Sequence, residues 1–300
     1  MSSEQPVRTP QQPYGEVFDR GYQHYQGERL GRSYAIRALI IYSIKRGLGI
    51  KKKWTAKVIP FILYSLAYLP AIVITAIISF FPGETGLGYS SLYGFLDFVI
   101  LIFAASVAPE MLCDDRRENV LPLYFSRPIS RLDYLLSKIG AMGILMATLV
   151  FGPALMLFAG RALTDDNPAS WLVNNLDEVL RIAFYGVLLS AFYAAIGLTI
   201  ATFTTRKGVA SAIMIVGVII ISGFANGLYF AIDDPAANPV VFLSPFDVLD
   251  GARAWVFGTD LGSNSMAGGA DLPGFSYGLV IAAIVGVAAA VMHRRYLSEE

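Results

Sequence analysis

An all-α integral membrane protein with six membrane-crossing helices is the fold class this sequence predicts. An interfacial amphipathic helix is expected before the first crossing and short outer helices between the fifth and sixth. Three observations lead there. Of 300 residues, 55% are hydrophobic and only 15% are charged, against about 25% charged in ordinary soluble domains. Six apolar runs each approach the roughly 20 residues that a helix needs to cross the hydrocarbon core. Lys and Arg collect on the connections of one parity, while the connections of the other parity are acidic.

Taken in order, residues 1–32 form a tail whose first 15 residues are rich in Gln, Pro and Ser and lack the apolar core of a secretory signal. The tail is expected to be disordered and cytoplasmic. In 33–57, Ile36, Leu39, Ile40, Tyr42, Ile44 and Leu48 recur at helical spacing among Arg37, Lys45 and Arg46. Too few apolar positions are present to span, which suits a helix lying at the interface with its basic residues on lipid headgroups. The six-span region is 58–292, with runs at 58–81, 92–111, 139–159, 180–203, 209–232 and 275–292. Breaks such as Pro82-Gly83 and Arg206-Lys207-Gly208 separate them. A short tail, 293–300, follows.

Orientation follows from the positive-inside rule, under which Lys and Arg stay on the cytoplasmic side. Arg29, Arg32, Arg37, Lys45, Arg46 and Lys57 precede the first run, Arg116, Arg117, Arg127, Arg131 and Lys138 occupy the second connection, and Arg294 and Arg295 follow the last run. Both termini are therefore expected in the cytoplasm. A multi-pass protein of a prokaryotic cytoplasmic (inner) membrane is the expected setting, with membrane lipid as a partner. Lys plus Arg equal Asp plus Glu at 23 each, a balance that points to no nucleic-acid partner. The single cysteine, Cys113, and the two histidines, His24 and His293, supply neither a disulfide nor a zinc cluster.

Charges within the spans are few. Asp97 lies in the second run near Tyr93, where it either lines a pathway or reaches the interface, the second being preferred. Asn226, the one amide of the fifth run, needs a partner in hydrocarbon, which a neighbouring helix or a transported molecule would supply. Arg181 has Asp177 and Glu178 beside it for a local ion pair. Small residues recur in the fourth and fifth runs, at Gly186, Ser190, Ala194 and Gly197 and at Gly217, Ser222, Gly223 and Gly227. They let helix backbones approach, most simply within one subunit. The long outer connection 233–273 contains an amphipathic stretch, 246–257, around Trp255, followed by a Gly- and Ser-rich stretch expected to be mobile.

The second connection, 109–138, reads PEMLCDDRRENVLPLYFSRPISRLDYLLSK and is not loop-like. An acidic residue, Glu110, closes the second run. A charge cluster follows, then the apolar Val120, Leu121, Leu123, Tyr124 and Phe125, stopped by Arg127-Pro128. A short apolar-faced helix between opposite charges fits a groove on another protein. Basic residues after a span also serve simply to fix topology.

These residues resemble the ABC-2-type permeases of ATP-binding-cassette transporters. The shared pattern is an acidic residue closing the second span, a DRR-like run, then L-x-L-Y-x-S-R-P-I-S-R-x-x-Y-x-x-K. It is met here by Glu110, Asp115, Arg116, Arg117, Leu121, Leu123, Tyr124, Ser126, Arg127, Pro128, Ile129, Ser130, Arg131, Tyr134 and Lys138. The resemblance implies that the helix around 119–126 is a coupling helix riding in a cleft of an ATPase subunit, with the segment 110–138 transmitting its movement. It further implies a permease for ATP-driven export, paired with a second copy or a paralogous permease and served by a dimer of ABC ATPase subunits. The chain carries no G-x-x-x-x-G-K-[ST] phosphate loop, so ATP and Mg are expected on the partner, with no cofactor and no catalytic set in this chain. Scarce fixed charge in the spans favours drug-like or amphipathic substrates over ions or sugars. A non-transporting structural or sensory component of such a complex shares every feature named. A secondary transporter would need intramembrane acids, broken helices or an internal repeat.

Overall fold

The computed structural model describes residues 30–50, 53–81, 87–125, 129–232, 235–262, 265–270 and 272–297. The expected disorder of the N-terminal tail concerns residues that lie, except for its last three, outside this set, as do Arg127 and Pro128. Six helices are long and apolar enough to cross a membrane. These are α2 (Thr55–Phe80), α3 (Tyr89–Arg117), α5 (Arg131–Thr164), α7 (Leu176–Phe203), α8 (Lys207–Ile232) and α11 (Gly274–Leu297). Shorter helices lie before and between them: α1 (Arg32–Gly47), α4 (Leu121–Phe125), α6 (Pro168–Asn174), α9 (Pro245–Phe257) and α10 (Met266–Gly269), with a 3-10 segment at Pro235–Leu243. The protein is an all-α, multi-pass integral membrane protein.

Helices α3 and α5 form the centre. The most apolar stretch of α3 is 67% buried, against 22% for α2 and for α11, which sets α3 inside and the other two at the rim. Around it pack α7, α8, α5 and α2, while α1 lies against α5 and α3. The outward faces remain apolar: Ile213, Val216, Ile220 and Phe224 of α8 are all exposed. In water such a surface would drive aggregation, whereas against lipid tails it carries no penalty.

Two spans extend well beyond the apolar runs. Helix α5 begins at Arg131, eight residues before the run at 139, because Ser130 and Asp133 form a capping box that holds the first turn. Its early polar residues Asp133, Ser137 and Lys138 are thereby wound inside the helix, and all three are buried. Helix α3 continues through the charge cluster to Arg117 and closes in a Schellman-type turn. Val120 N–H donates to Asp115 O at 3.1 Å and Asn119 N–H to Arg116 O at 3.3 Å. Asn119 takes the left-handed conformation there, with φ 51°, a role Asn fills next best to Gly.

Proline inside α3 leaves a bond to be made elsewhere. Pro109 has no N–H for the carbonyl of Ala105, and Ser211 Oγ of α8 donates to that oxygen at 2.6 Å. The interfacial helix comes close to the core through Gly47, where an added methyl would stand 2.9 Å from Val107 Cγ1 of α3. Of the small-residue stripes, the one on α7 packs internally, with Gly186 against Phe151. On α8 the stripe divides: Ser222 is buried, whereas a methyl added at Gly217, Gly223 or Gly227 would meet nothing within 4 Å among the described residues.

Beyond α8, the stretch expected as a helix at 246–257 is α9, capped at its start by Ser244 and Asp247. The Gly-rich stretch expected to be mobile carries α10, whose Met266 and Ala267 are buried and whose Ala267 carbonyl accepts from Tyr277 Oη at 3.3 Å.

Candidate coupling site

The C-terminal turns of α3 carry Glu110, Asp114 and Asp115 on one side, at spacings of four and five residues. Three cations from three other helices converge on them. Lys138 of α5 reaches Asp115 at 2.7 Å, with both side chains fully enclosed, and also donates to Met111 O at 2.9 Å. Lys207 of α8 reaches Glu110 at 2.7 Å and touches Asp114. Arg46 of α1 spans Asp114 and Asp115, at 2.6 Å to each. Tyr134 Oη completes the shell, donating to Asp115 at 2.9 Å. Burial opposes the charge of Arg46, yet Asp114 and Asp115 more than offset it and hold its pKa above the ordinary guanidinium value.

Three acids of α3 thus meet three bases from other helices where α1, α3, α5 and α8 come together. Helix α7 is tied in by Arg116, which donates to Thr202 O, one of the carbonyls that a helix end leaves unpaired. Arg117 is exposed and pairs with Asp114 at 2.9 Å. Arg32, at the start of α1, grips Asp133 through two bonds of 2.8 and 2.6 Å.

Helix α4 leans on this hub through Tyr124. Tyr124 packs on Tyr134 with centroids 5.7 Å apart, and Tyr134 packs in turn on Tyr296 of α11 at 5.9 Å. Leu121 is half-buried against the core, while Leu123 projects outward, 67% exposed. Arg131 donates to Tyr296 O at 3.4 Å.

The residues singled out in the second connection therefore divide. Leu123 and Arg117 face outward. Asp115 is fully enclosed, Arg116 turns inward to α7, and Glu110 pairs with α8. Within the chain, these last three are held by Lys138, Arg46 and Tyr134 for Asp115, by Thr202 for Arg116 and by Lys207 for Glu110. Arg46, expected on lipid headgroups, also turns inward; Arg37 and Lys45 on the same helix are exposed. By sequence, Lys138 reads as the basic end of a connection and the last position of the shared motif. Its position four residues after Tyr134, on the same face of α5, is the available signal that it faces the core.

At the opposite end of the bundle lies Asp97. It is buried, with Arg253 of α9 at 3.5 Å and Tyr93 and Tyr185 near it, their rings 4.9 Å apart. Arg253 also holds Asp250 at 2.8 Å. Burial pushes the Asp250 carboxyl up, against the pull of Arg253. Asn226 donates to Ser222 O and to Asp247 of α9, at 3.0 and 2.9 Å, so a neighbouring helix meets the need its amide creates. Arg181 pairs with Asp177 at 3.3 Å.

A family model described as ABC-2 family transporter protein matches residues 81–248. That stretch runs from the end of the first crossing into α9 and contains the whole hub except Arg46. No curated protein matches the chain. The match covers more than half of a six-crossing, all-helical membrane protein, and the chain therefore belongs to the ABC-2 family of transporter proteins, as a permease component of an ABC transporter.

Proposed function

We propose that this permease serves ATP-driven export of an amphipathic small molecule, and that helix α4 seats in a cleft of a separate ABC ATPase subunit. The observation that supports the reading is the chain of contacts from α4 to the membrane helices. Leu123 is exposed for a partner. Its neighbour Tyr124 rests on Tyr134, and Tyr134 is bonded to Asp115 in the four-helix ionic hub. A displacement of α4 would press on buried charges that resist separation, so α1, α3, α5 and α8 would move together rather than letting the helix slide. Exposed Leu123 supplies apolar area for a pocket, with Arg117 at its edge for a carboxylate. Arg127 and Pro128 extend the same motif. ATP and Mg are held by the ATPase, and two permease copies, identical or paralogous, enclose the path.

In this reading the α4 end faces the cytoplasm, as the basic connections require, and the α9 end faces outward. Cys113 is buried, so introduced cysteines can be labelled against a quiet background. An impermeant maleimide is expected to modify Asn174→Cys on α6 in intact cells and Thr205→Cys, between α7 and α8, only after permeabilisation; the reverse pattern would overturn the assignment. Proteoliposomes holding the permease with its ATPase should export a fluorescent amphiphile on addition of ATP and Mg. Stable co-assembly with no ATP-dependent movement of any amphiphile tested would favour a sensory component instead.

A further inference from the structure

At the α9 end, the first turns of α3, the last turns of α5 and the start of α7 enclose with α9 a cleft of about 570 Å³, within the size range of small-molecule sites. Its lining includes Tyr89, Ser90, Arg161, Glu178, Arg253 and Phe257. Five polar atoms of these residues are buried without a hydrogen-bond partner among the described residues: Tyr89 Oη, Arg161 Nε, Glu178 Oε2, and Arg253 Nε and Nη1. Buried polar atoms are almost always partnered, so this concentration marks a place where something polar belongs.

The charges indicate what kind. Arg253, only 8% exposed, is balanced by Asp97 and Asp250, and the space for its guanidinium is made by Gly94, where a methyl would come within 2.5 Å of Nη1. Arg161 is held in place, donating to Leu87 O at 2.8 Å and lying 4.8 Å from the centre of the Tyr89 ring. Arg161 and Glu178 thus set a cation and an anion in one cleft, with Asp260 a second acid on its lining whose carboxylate accepts from Gly262 N–H at 2.9 Å. Tyr89 and Phe257, stacked at 6.2 Å, add an apolar wall. Phe98 of α3 and Leu180 of α7, close in sequence to the lining, are exposed at 49% and 71%. Lipid tails would meet those faces in a membrane.

We infer that the cleft binds a zwitterion carrying a primary ammonium and an anionic group, with the ammonium on Glu178 and the anion on Arg161. The flanking apolar faces favour the headgroup of an aminophospholipid as its source. A primary ammonium offers three N–H donors to a carboxylate, whereas a quaternary one offers none, and that difference makes the inference testable. The site lies away from α4, so its occupancy is read on the permease alone and stands or fails separately from ATPase docking.

The full chain, stripped of lipid in detergent, would be given phosphatidylethanolamine, phosphatidylcholine or phosphatidylglycerol in equal amounts. Native mass spectrometry reads the retained lipid and thermal unfolding reads the folded state. Phosphatidylethanolamine should be retained at least tenfold over the other two. Glu178→Gln, nearly isosteric, should abolish that preference; Arg161→Gln should reduce retention, and Arg161→Lys should restore part of it. Soluble phosphoethanolamine competing with the lipid would support the same headgroup chemistry, and its binding where the lipid fails would assign the site to a soluble zwitterion. Equal retention of all three lipids with no response to phosphoethanolamine, or variants that fold normally and bind unchanged, would overturn the inference and leave a hydrated cleft.

Discussion

Asp115→Asn is expected to destabilise the permease by about 3–5 kcal/mol, the usual consequence of removing one partner from a buried ion pair. Lys138 shows no solvent exposure and has Asp115 at 2.7 Å; without that carboxylate its ammonium would retain the carbonyl of Met111 as an acceptor but no counter-charge. Arg46 would keep Asp114, so α1 should remain attached while the junction of α3 and α5 loosens. The double variant Asp115→Leu with Lys138→Met removes both charges at similar volume and should recover much of the loss, since a buried pair is stabilising mainly relative to its broken halves. Thermal unfolding of the two variants in detergent measures this. A single variant as stable as the parent would mean that Lys138 is not held by Asp115.

Leu123→Asp is expected to leave folding intact and weaken ATPase docking by about 30-fold or more. The side chain is already 67% exposed, so the free permease loses little when it becomes polar. In a complex, about 2 kcal/mol of apolar burial would be lost and a carboxylate would be desolvated in its place, and each 1.4 kcal/mol is about tenfold in affinity. Tyr124 would be a poorer probe, because its ring also supports Tyr134 and its removal would disturb both surfaces. Affinity between purified permease and ATPase, alongside the permease's own unfolding temperature, separates the two effects. Unchanged affinity at unchanged stability would exclude α4 as the seat.

The number and order of the crossings were legible because hydrocarbon imposes a length and an apolarity that no soluble element shares. Their ends were not, because a span that continues into water keeps its helix while its composition turns polar. Helix α5 shows this at Ser130 and Asp133, and α3 at the Asn119 turn. The family likeness was readable from the 109–138 motif, but the motif says which residues recur and not which way they face. That Glu110, Asp115 and Arg116 also bind α1, α5, α7 and α8 becomes visible only once those helices are placed around them. Arg46 and Arg253 were the hardest to anticipate. Each is a single basic residue among others, and only tertiary packing brings it to acids about 70 and 150 residues away.

The missing N–H of Pro109 gives α3 a mechanical character of its own. A rod that lacks one rung flexes there first, and here the free carbonyl is tethered sideways to Ser211 of α8 instead of up its own axis. The charged stub beyond it is bonded to α8 a second time, through Glu110 and Lys207, so the two crossings are stitched together on both sides of the gap.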